Sequence, residues 1–176
     1  MLVDLPQDIQ HHVFDMYKIG LQERHKRTKD LLRKSCGESA DTVIDYMSDI
    51  VQKPCSKPHY ALVLTGPFAR KIANIIRFAA EEKWLEADKF LLLGRFNGAL
   101  RDKKLLIIED EGAEEVKHRI KEIVSSRSLV IEERRRNATR VPSYHRVVII
   151  STRPIFDGAR RFCNVECNNV EGWNSA

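Results

Sequence analysis

The stretch Lys103–Gly112, KKLLIIEDEG, constrains the fold more than any other part of the chain. Four large aliphatic residues, Leu105 to Ile108, stand between a basic pair and three consecutive acids. An unbroken apolar run with abrupt polar ends predicts a strand buried on both faces of a parallel sheet. Open α/β sheets bind their ligands beyond the carboxyl ends of the strands. Asp110 and Glu111 therefore fall where a ligand is expected. A buried strand that runs into a solvated acidic loop explains the same residues, and this stretch alone leaves both readings open.

Composition sets the outer bounds. A chain of 176 residues with 43% hydrophobic and 31% charged residues suits one soluble domain with a real core and a small helical appendage. The net charge of +5 is modest, so its distribution matters more than its sum. No apolar run approaches the roughly 18 residues of a membrane span, so no membrane partner is expected. The opening MLVDLPQDIQ lacks the basic start and apolar stretch of a secretory signal. These features predict an intracellular protein of cytoplasm or nucleus. Cys36, Cys55, Cys163 and Cys167 fit reduced thiols. No zinc is expected, because CNVEC places its two thiols four residues apart along a strand rather than in a metal-binding turn.

Taken in order, residues 4 to 21 read as a helix with Ile9, Val13, Met16 and Tyr17 at helical spacing. RHKRTKDLLRK, from Arg24 to Lys34, is a basic helical face, either solvated or set against phosphates. Residues 39 to 51 predict a third helix with Val43, Met47, Ile50 and Val51 as its stripe. Pro54 and Pro58 then break the pattern. The expected organisation is a helical N-terminal region over 1–52, a linker over 53–59, an α/β domain over 60–168 and a flexible tail over 169–176. Within the α/β part, YALVLT (60–65) reads as a buried strand that turns at Gly66-Pro67 into a helix from Ala69 to Leu85. Lys89 to Leu93 reads as a second strand, Glu114 to Val124 as a helix, and Arg146 to Ile150 as a further strand.

Between SLVIEE (128–133) and RVVIIS lies RRRNATRVP. It carries Arg134, Arg135, Arg136 and Arg140 around an Asn-Ala-Thr tip. Four guanidinium groups on so short a loop are costly to bury, so the loop is exposed or holds an anion. The expectation is a projecting basic hairpin whose return strand is Arg146–Ile150.

The order of these pieces resembles a superfamily 3 helicase domain, as in the hexameric ATPases of small DNA viruses and phage primase-associated helicases. The resemblance covers about residues 60 to 167. VLTGP occupies the Walker A position, LLIIEDEG the Walker B position, and LLGRFNGAL the segment before it. VVIISTRP sits where the sensor strand belongs, and ARRF where the strand with the arginine finger begins. It implies a P-loop-type, mostly parallel sheet flanked by helices, with ATP and Mg²⁺ as cofactors. Carried over, Asp110 and Glu111 are the Walker B pair, and Asp110 the metal residue. Thr152 stands at the sensor position, Arg160 or Arg161 is the finger, and Arg134, Arg135, Arg136 and Arg140 contact single-stranded DNA. Gly66 and Lys71 belong to the phosphate loop. The finger of this family reaches a neighbouring subunit, so a homo- or hetero-oligomer is implied.

The departures are as informative as the matches. Counted from Gly66 as GxxxxGK[ST], positions 71 to 73 read Lys-Ile-Ala, with no second glycine and no metal-binding hydroxyl. Thr152 replaces the usual sensor Asn. Phosphoryl transfer depends on positioning and electrostatics, so such losses predict weak or absent hydrolysis. The first expectation is a degenerate helicase-like domain that binds nucleic acid or serves a replication assembly. Two others stay open: an active ATPase using Lys71 in an unorthodox loop, and a protein-interaction scaffold.

Overall fold

The computed structural model describes residues 25–109, 114–156 and 158–171. The predicted helix over residues 4–21 lies outside them. Residues 25–36 form helix α1, and a short 3-10 turn leads to α2 (Ala40–Gln52). The elements that follow are β1 (Ala61–Thr65), α3 (Ala69–Ala79), β2 (Trp84–Glu86), α4 (Lys89–Leu93), β3 (Leu105–Glu109) and α5 (Glu114–Ser125). Then come β4 (Ser128–Ile131), β5 (Thr139–Pro142), β6 (Arg146–Ser151) and β7 (Phe162–Glu166).

Five strands make one parallel sheet in the order β2-β3-β6-β1-β7. Side chains alternate across a strand, and here the alternation divides two cores. Leu62, Leu64, Leu105, Ile107 and Val148 face α1, α2 and α3. Ala61, Val63, Leu106, Ile108, Val147 and Ile149 face α5, α4 and the β4–β5 hairpin. Both faces are thus covered, which is why LVL, LLII and VVII carry no polar interruption.

Helix α1 buries Leu31, Leu32 and Cys36, and turns Lys26, Arg27, Arg33 and Lys34 to solvent. Helix α2 is fastened to the sheet by polar as well as apolar contacts. The Tyr46 hydroxyl donates to the Val147 carbonyl at 3.0 Å. Buried Arg146 donates through Nη2 to the carbonyls of Asp49 and Lys53, each at 2.7 Å. These carbonyls belong to the end of α2, where the helix dipole favours a cation; the Asp49 carbonyl also accepts from the Lys53 N–H at 3.0 Å.

Three sequence expectations are corrected. Helix α3 ends at Ala79 rather than Leu85, because Glu81 turns to a φ of 54° and breaks it. The second strand is Trp84–Glu86, paired with Leu105–Ile107. Lys89–Leu93 is a helix, not a strand: the Asp88 carboxylate caps it by accepting from the Leu91 N–H at 2.8 Å. Its apolar run misled because Phe90 and Leu93 point to solvent, 76% and 48% exposed. Finally, the hairpin returns through β5, with Ser128 opposite Pro142 and Ile131 opposite Thr139. Strand β6 belongs to the main sheet.

Candidate functional site

Three regions carry the chemistry: a crevice at the carboxyl ends of the strands, the basic hairpin, and a basic cleft at the opposite ends of the strands.

The crevice, of about 280 Å³, is lined by Arg70, Glu86, Asp88, Lys89, Glu109 and apolar neighbours. It lies beyond the ends of β2 and β3, beside the start of α3. Only Gly66, Pro67 and Phe68 join β1 to α3. Gly66 has φ 91°, and a Cβ there would stand 2.7 Å from the Cys167 carbonyl oxygen, so the turn presses against the end of β7. Backbone donors of this turn are largely spent. Pro67 has none, the Phe68 N–H donates to Cys167 at 3.1 Å, and the Ala69 N–H donates to Gly66 at 3.2 Å. The Lys71 ammonium sits over the Phe68 ring at 4.3 Å from its centroid rather than in the crevice. Arg70 lies across the crevice instead, donating to Glu86 at 2.9 Å and to Glu109. Asp110 and Glu111 follow Glu109 but lie outside the described residues. Thr152 is exposed just past the end of β6, on the same edge of the sheet.

The hairpin stands apart from the main sheet. Its β4 side buries Leu129 and Ile131. The segment Arg95–Arg101 holds its other flank. Buried Asn97 acts as a surrogate strand: its side-chain amide donates to the Val130 carbonyl at 2.9 Å, and its side-chain oxygen accepts from the Glu132 N–H at 2.8 Å. Its own N–H donates to the Glu132 carbonyl at 3.1 Å. Arg95 pairs with Glu132, and Arg101 with Glu133, each at 2.9 Å. The Arg101 hydrogen bond holds the Glu133 carboxyl below its ordinary pKa, with Arg136 adding to the effect.

The four hairpin arginines are not equivalent. Arg136 is paired with Glu133 at 2.8 Å, and Arg140 donates to Ser128 Oγ at 3.0 Å. Arg134 sits over the half-exposed Phe96 ring, which Arg95 also flanks, both 5.7 Å from the centroid. Arg135, at φ 62°, is exposed and has no partner among the described residues. Sequence reasoning missed Phe96 and Asn97. Their signal was an aromatic and an amide within a Gly-bounded segment, GRFNG.

Arg160 and Arg161 immediately precede β7, where the Arg161 carbonyl accepts from the Ala61 N–H at 2.8 Å. They therefore lie at the opposite ends of the strands from the crevice, at least the length of a five-residue strand, about 13 Å, away, and three strands across the sheet from β3. Together with Lys57, His59, Ser125 and Arg127 they line a cleft of about 380 Å³. No carboxylate lines it among the described residues. Burial, with Arg161 nearby, pushes the Lys57 ammonium down to about 8. Lys57 and Arg127 carried no sequence signal, since 70 residues separate them and only the fold brings them together. All four cysteines are free thiols, and no cluster of metal-ligating side chains occurs among the described residues.

Comparison with known proteins decides the family. A family model described as a family of unknown function, DUF5906, matches residues 66–161, more than half of the chain. The chain belongs to the DUF5906 family. The match takes in the β1–α3 turn, the crevice, the hairpin and both finger candidates. No curated protein sequence matches this DUF5906 chain. Among solved structures, the apo A form of the NrS-1 C terminal region superposes with a TM-score of 0.68 at 20% identity, over 84% of this chain and 40% of that one. A second apo structure of that region gives 0.68 at 19% identity, again over 84% and 40%. A JCV helicase bound to a thiazolopyridine-containing acetamide gives 0.52 at 16% identity, over 80% and 44%. The DUF5906 chain thus has a helicase-like α/β fold and spans less than half the length of these structures. Among the described residues no helix is long and apolar enough to cross a membrane.

Proposed function

We propose that this DUF5906 domain is a degenerate helicase-like subunit that binds single-stranded nucleic acid through its basic hairpin. In this reading it hydrolyses ATP weakly or not at all in its own crevice and serves a replication assembly. The observation that carries the reading is Arg70, ion-paired to Glu86 and Glu109 across the crevice. A guanidinium there supplies the positive charge that a nucleotide site takes from a metal and a phosphate-loop lysine. Of the N–H groups that would cradle phosphates, Pro67 has none and those of Phe68 and Ala69 are already bonded. The described residues thus do not fit an ATP–Mg²⁺ complex. The position of Lys71 on Phe68 weighs against the unorthodox-loop alternative.

Support for nucleic acid comes from Arg134, Arg135 and Phe96. Cationic side chains beside an exposed aromatic ring match the backbone and the base faces of a single strand. Lys57, Arg127, Arg160 and Arg161 support a further role. A basic cleft remote from the chain's own crevice suits donation of a finger to the phosphates of a neighbouring subunit.

One experiment with two arms tests this. In the first, a fluorescent ATP analogue with Mg²⁺ is titrated into the chain and into Asp110→Ala; the expected result is no Mg²⁺-dependent binding that distinguishes the two, any binding at the basic cleft being equal in both. Saturable Mg²⁺-dependent binding that Asp110→Ala abolishes would overturn the degenerate reading. In the second, a labelled single-stranded oligonucleotide is titrated at several salt concentrations. Affinity should fall steeply with salt, and each lost arginine contact should reduce the log–log slope by about 0.7. Affinity independent of salt would sink the nucleic-acid role in favour of a scaffold.

A further inference from the structure

A buried hydrogen-bond line runs from the basic cleft into the interior, and neither the crevice nor the hairpin accounts for it. Lys57 Nζ donates to the Ile123 carbonyl at 2.7 Å and to Ser143 Oγ at 3.2 Å. Ser143 is fully buried, and its Oγ lies 3.2 Å from Nδ1 of buried His145. His145 Nε2 lies 2.8 Å from the Leu100 carbonyl oxygen.

The partners give the line a direction. A carbonyl only accepts, so His145 Nε2 carries the ring proton and Nδ1 accepts from the Ser143 hydroxyl. The one proton of Ser143 is therefore committed, and only its lone pairs face Lys57. Burial lowers the pKa of His145, with the Leu100 hydrogen bond opposing and Lys57 assisting, so the imidazole stays neutral and the direction holds at neutral pH. Lys57 must then donate twice, to Ile123 and to Ser143. An ammonium has three N–H groups, and the third is left for the cleft. A neutral amine making the same two bonds would turn a lone pair toward the cleft and repel an anion.

We propose that Ser143 and His145 are positioning residues for Lys57, fixing its ammonium so that the third N–H takes an oxygen of a phosphate group in the cleft. The proposal rests on the reading of this cleft as phosphate-facing and adds what holds its least exposed cation in place. The charged and titratable groups that line the cleft with Lys57 are Arg160 and Arg161 before β7, Arg127 between α5 and β4, and His59. Each adds positive charge or none. On the far side of His145, a second cavity brings Lys83, Arg101, Asp102, Lys103 and Lys104, a balance that also disfavours imidazolium.

With Lys57 held down to about 8, it is charged at neutral pH but loses that charge just above it when no ligand is bound. An arriving phosphate favours the ammonium, so binding takes up a proton and weakens as pH rises through about 8.

The test uses the whole chain with inorganic pyrophosphate as probe, titrated by calorimetry at pH 6.5 and pH 8.5, beside an NMR titration of the Lys57 side chain. Ser143→Ala is expected to lower the Lys57 midpoint and to lose several-fold more affinity at pH 8.5 than at pH 6.5. Ser143→Thr, which keeps the hydroxyl, is expected to restore both, and so guards against a loss that reflects folding alone. An unchanged Lys57 midpoint in Ser143→Ala, or an equal loss at both pH values, would overturn the positioning role. If the unaltered chain binds no pyrophosphate, the phosphate-facing reading of the cleft and the ligand half of this proposal fall together. The hairpin's binding of oligonucleotide is measured separately and is untouched by that result.

Discussion

Gly66 shows how little room a single residue leaves. Its φ of 91° disfavours any L side chain, and an added Cβ would meet the Cys167 carbonyl at 2.7 Å, a backbone atom that cannot rotate away. Gly66→Ala should therefore destabilise the fold by roughly 2 kcal/mol or more, combining strain at positive φ with a forced shift of β7. Denaturant unfolding would measure it. The hairpin arginines make a second residue-scale prediction, because their partners differ. Arg135→Ala should weaken oligonucleotide binding more than Arg136→Ala, since Arg136 is already held by Glu133. Glu133→Gln should strengthen binding and steepen its salt dependence by releasing Arg136; anisotropy titrations across salt would show it. His145 predicts a pH effect. Its folded pKa lies below the ordinary 6.5, so the unfolded chain takes up the proton first and stability falls as pH drops below about 6.5. His145→Asn should flatten that acid limb in denaturant unfolding followed against pH.

At the scale of elements, the hairpin depends on a segment that precedes it by some thirty residues. Asn97 makes three hydrogen bonds to β4 and its end. Asn97→Ala would leave the Val130 carbonyl and the Glu132 N–H without partners, at about 1–3 kcal/mol for such groups when buried. Hydrogen exchange should speed at Glu132 while the β1 and β6 amides stay protected. This dependence was not legible in the sequence, because a buried asparagine in GRFNG reads as an ordinary turn residue. The same locality explains the misread Lys89–Leu93. A five-residue segment with four apolar residues in a row has the length of a strand, and only the cap from Asp88 and the exposure of Phe90 reveal a helical turn. Where a run is buried on both sides, as in LVL, LLII and VVII, the pattern had one reading and the strand was foreseen.

Across the whole molecule, the parallel sheet and its helical cover followed from three apolar runs and the helices between them. The positions of the site residues did not. The broken phosphate loop is visible in the letters GPFARKIA, yet nothing in them says that Arg70 would reach Glu86 and Glu109. Likewise Lys57 gives no hint of Arg127 until β1, α5 and β7 align their ends. What the sequence could carry was order along the chain; what it could not carry was which ends of the strands would share a cavity.

The hairpin's attachment has a consequence for how this architecture can change. Among the described residues strands β4 and β5 pair only with each other, and their tip at residues 132–138 is tethered at its base rather than along its length. Residues inserted in matched pairs beyond Glu133 and before Thr139 would lengthen the arm by about 3.4 Å per pair without disturbing the sheet. Reach is thus an adjustable dimension of the molecule, free to drift while the scaffold beneath it stays under strict packing constraint.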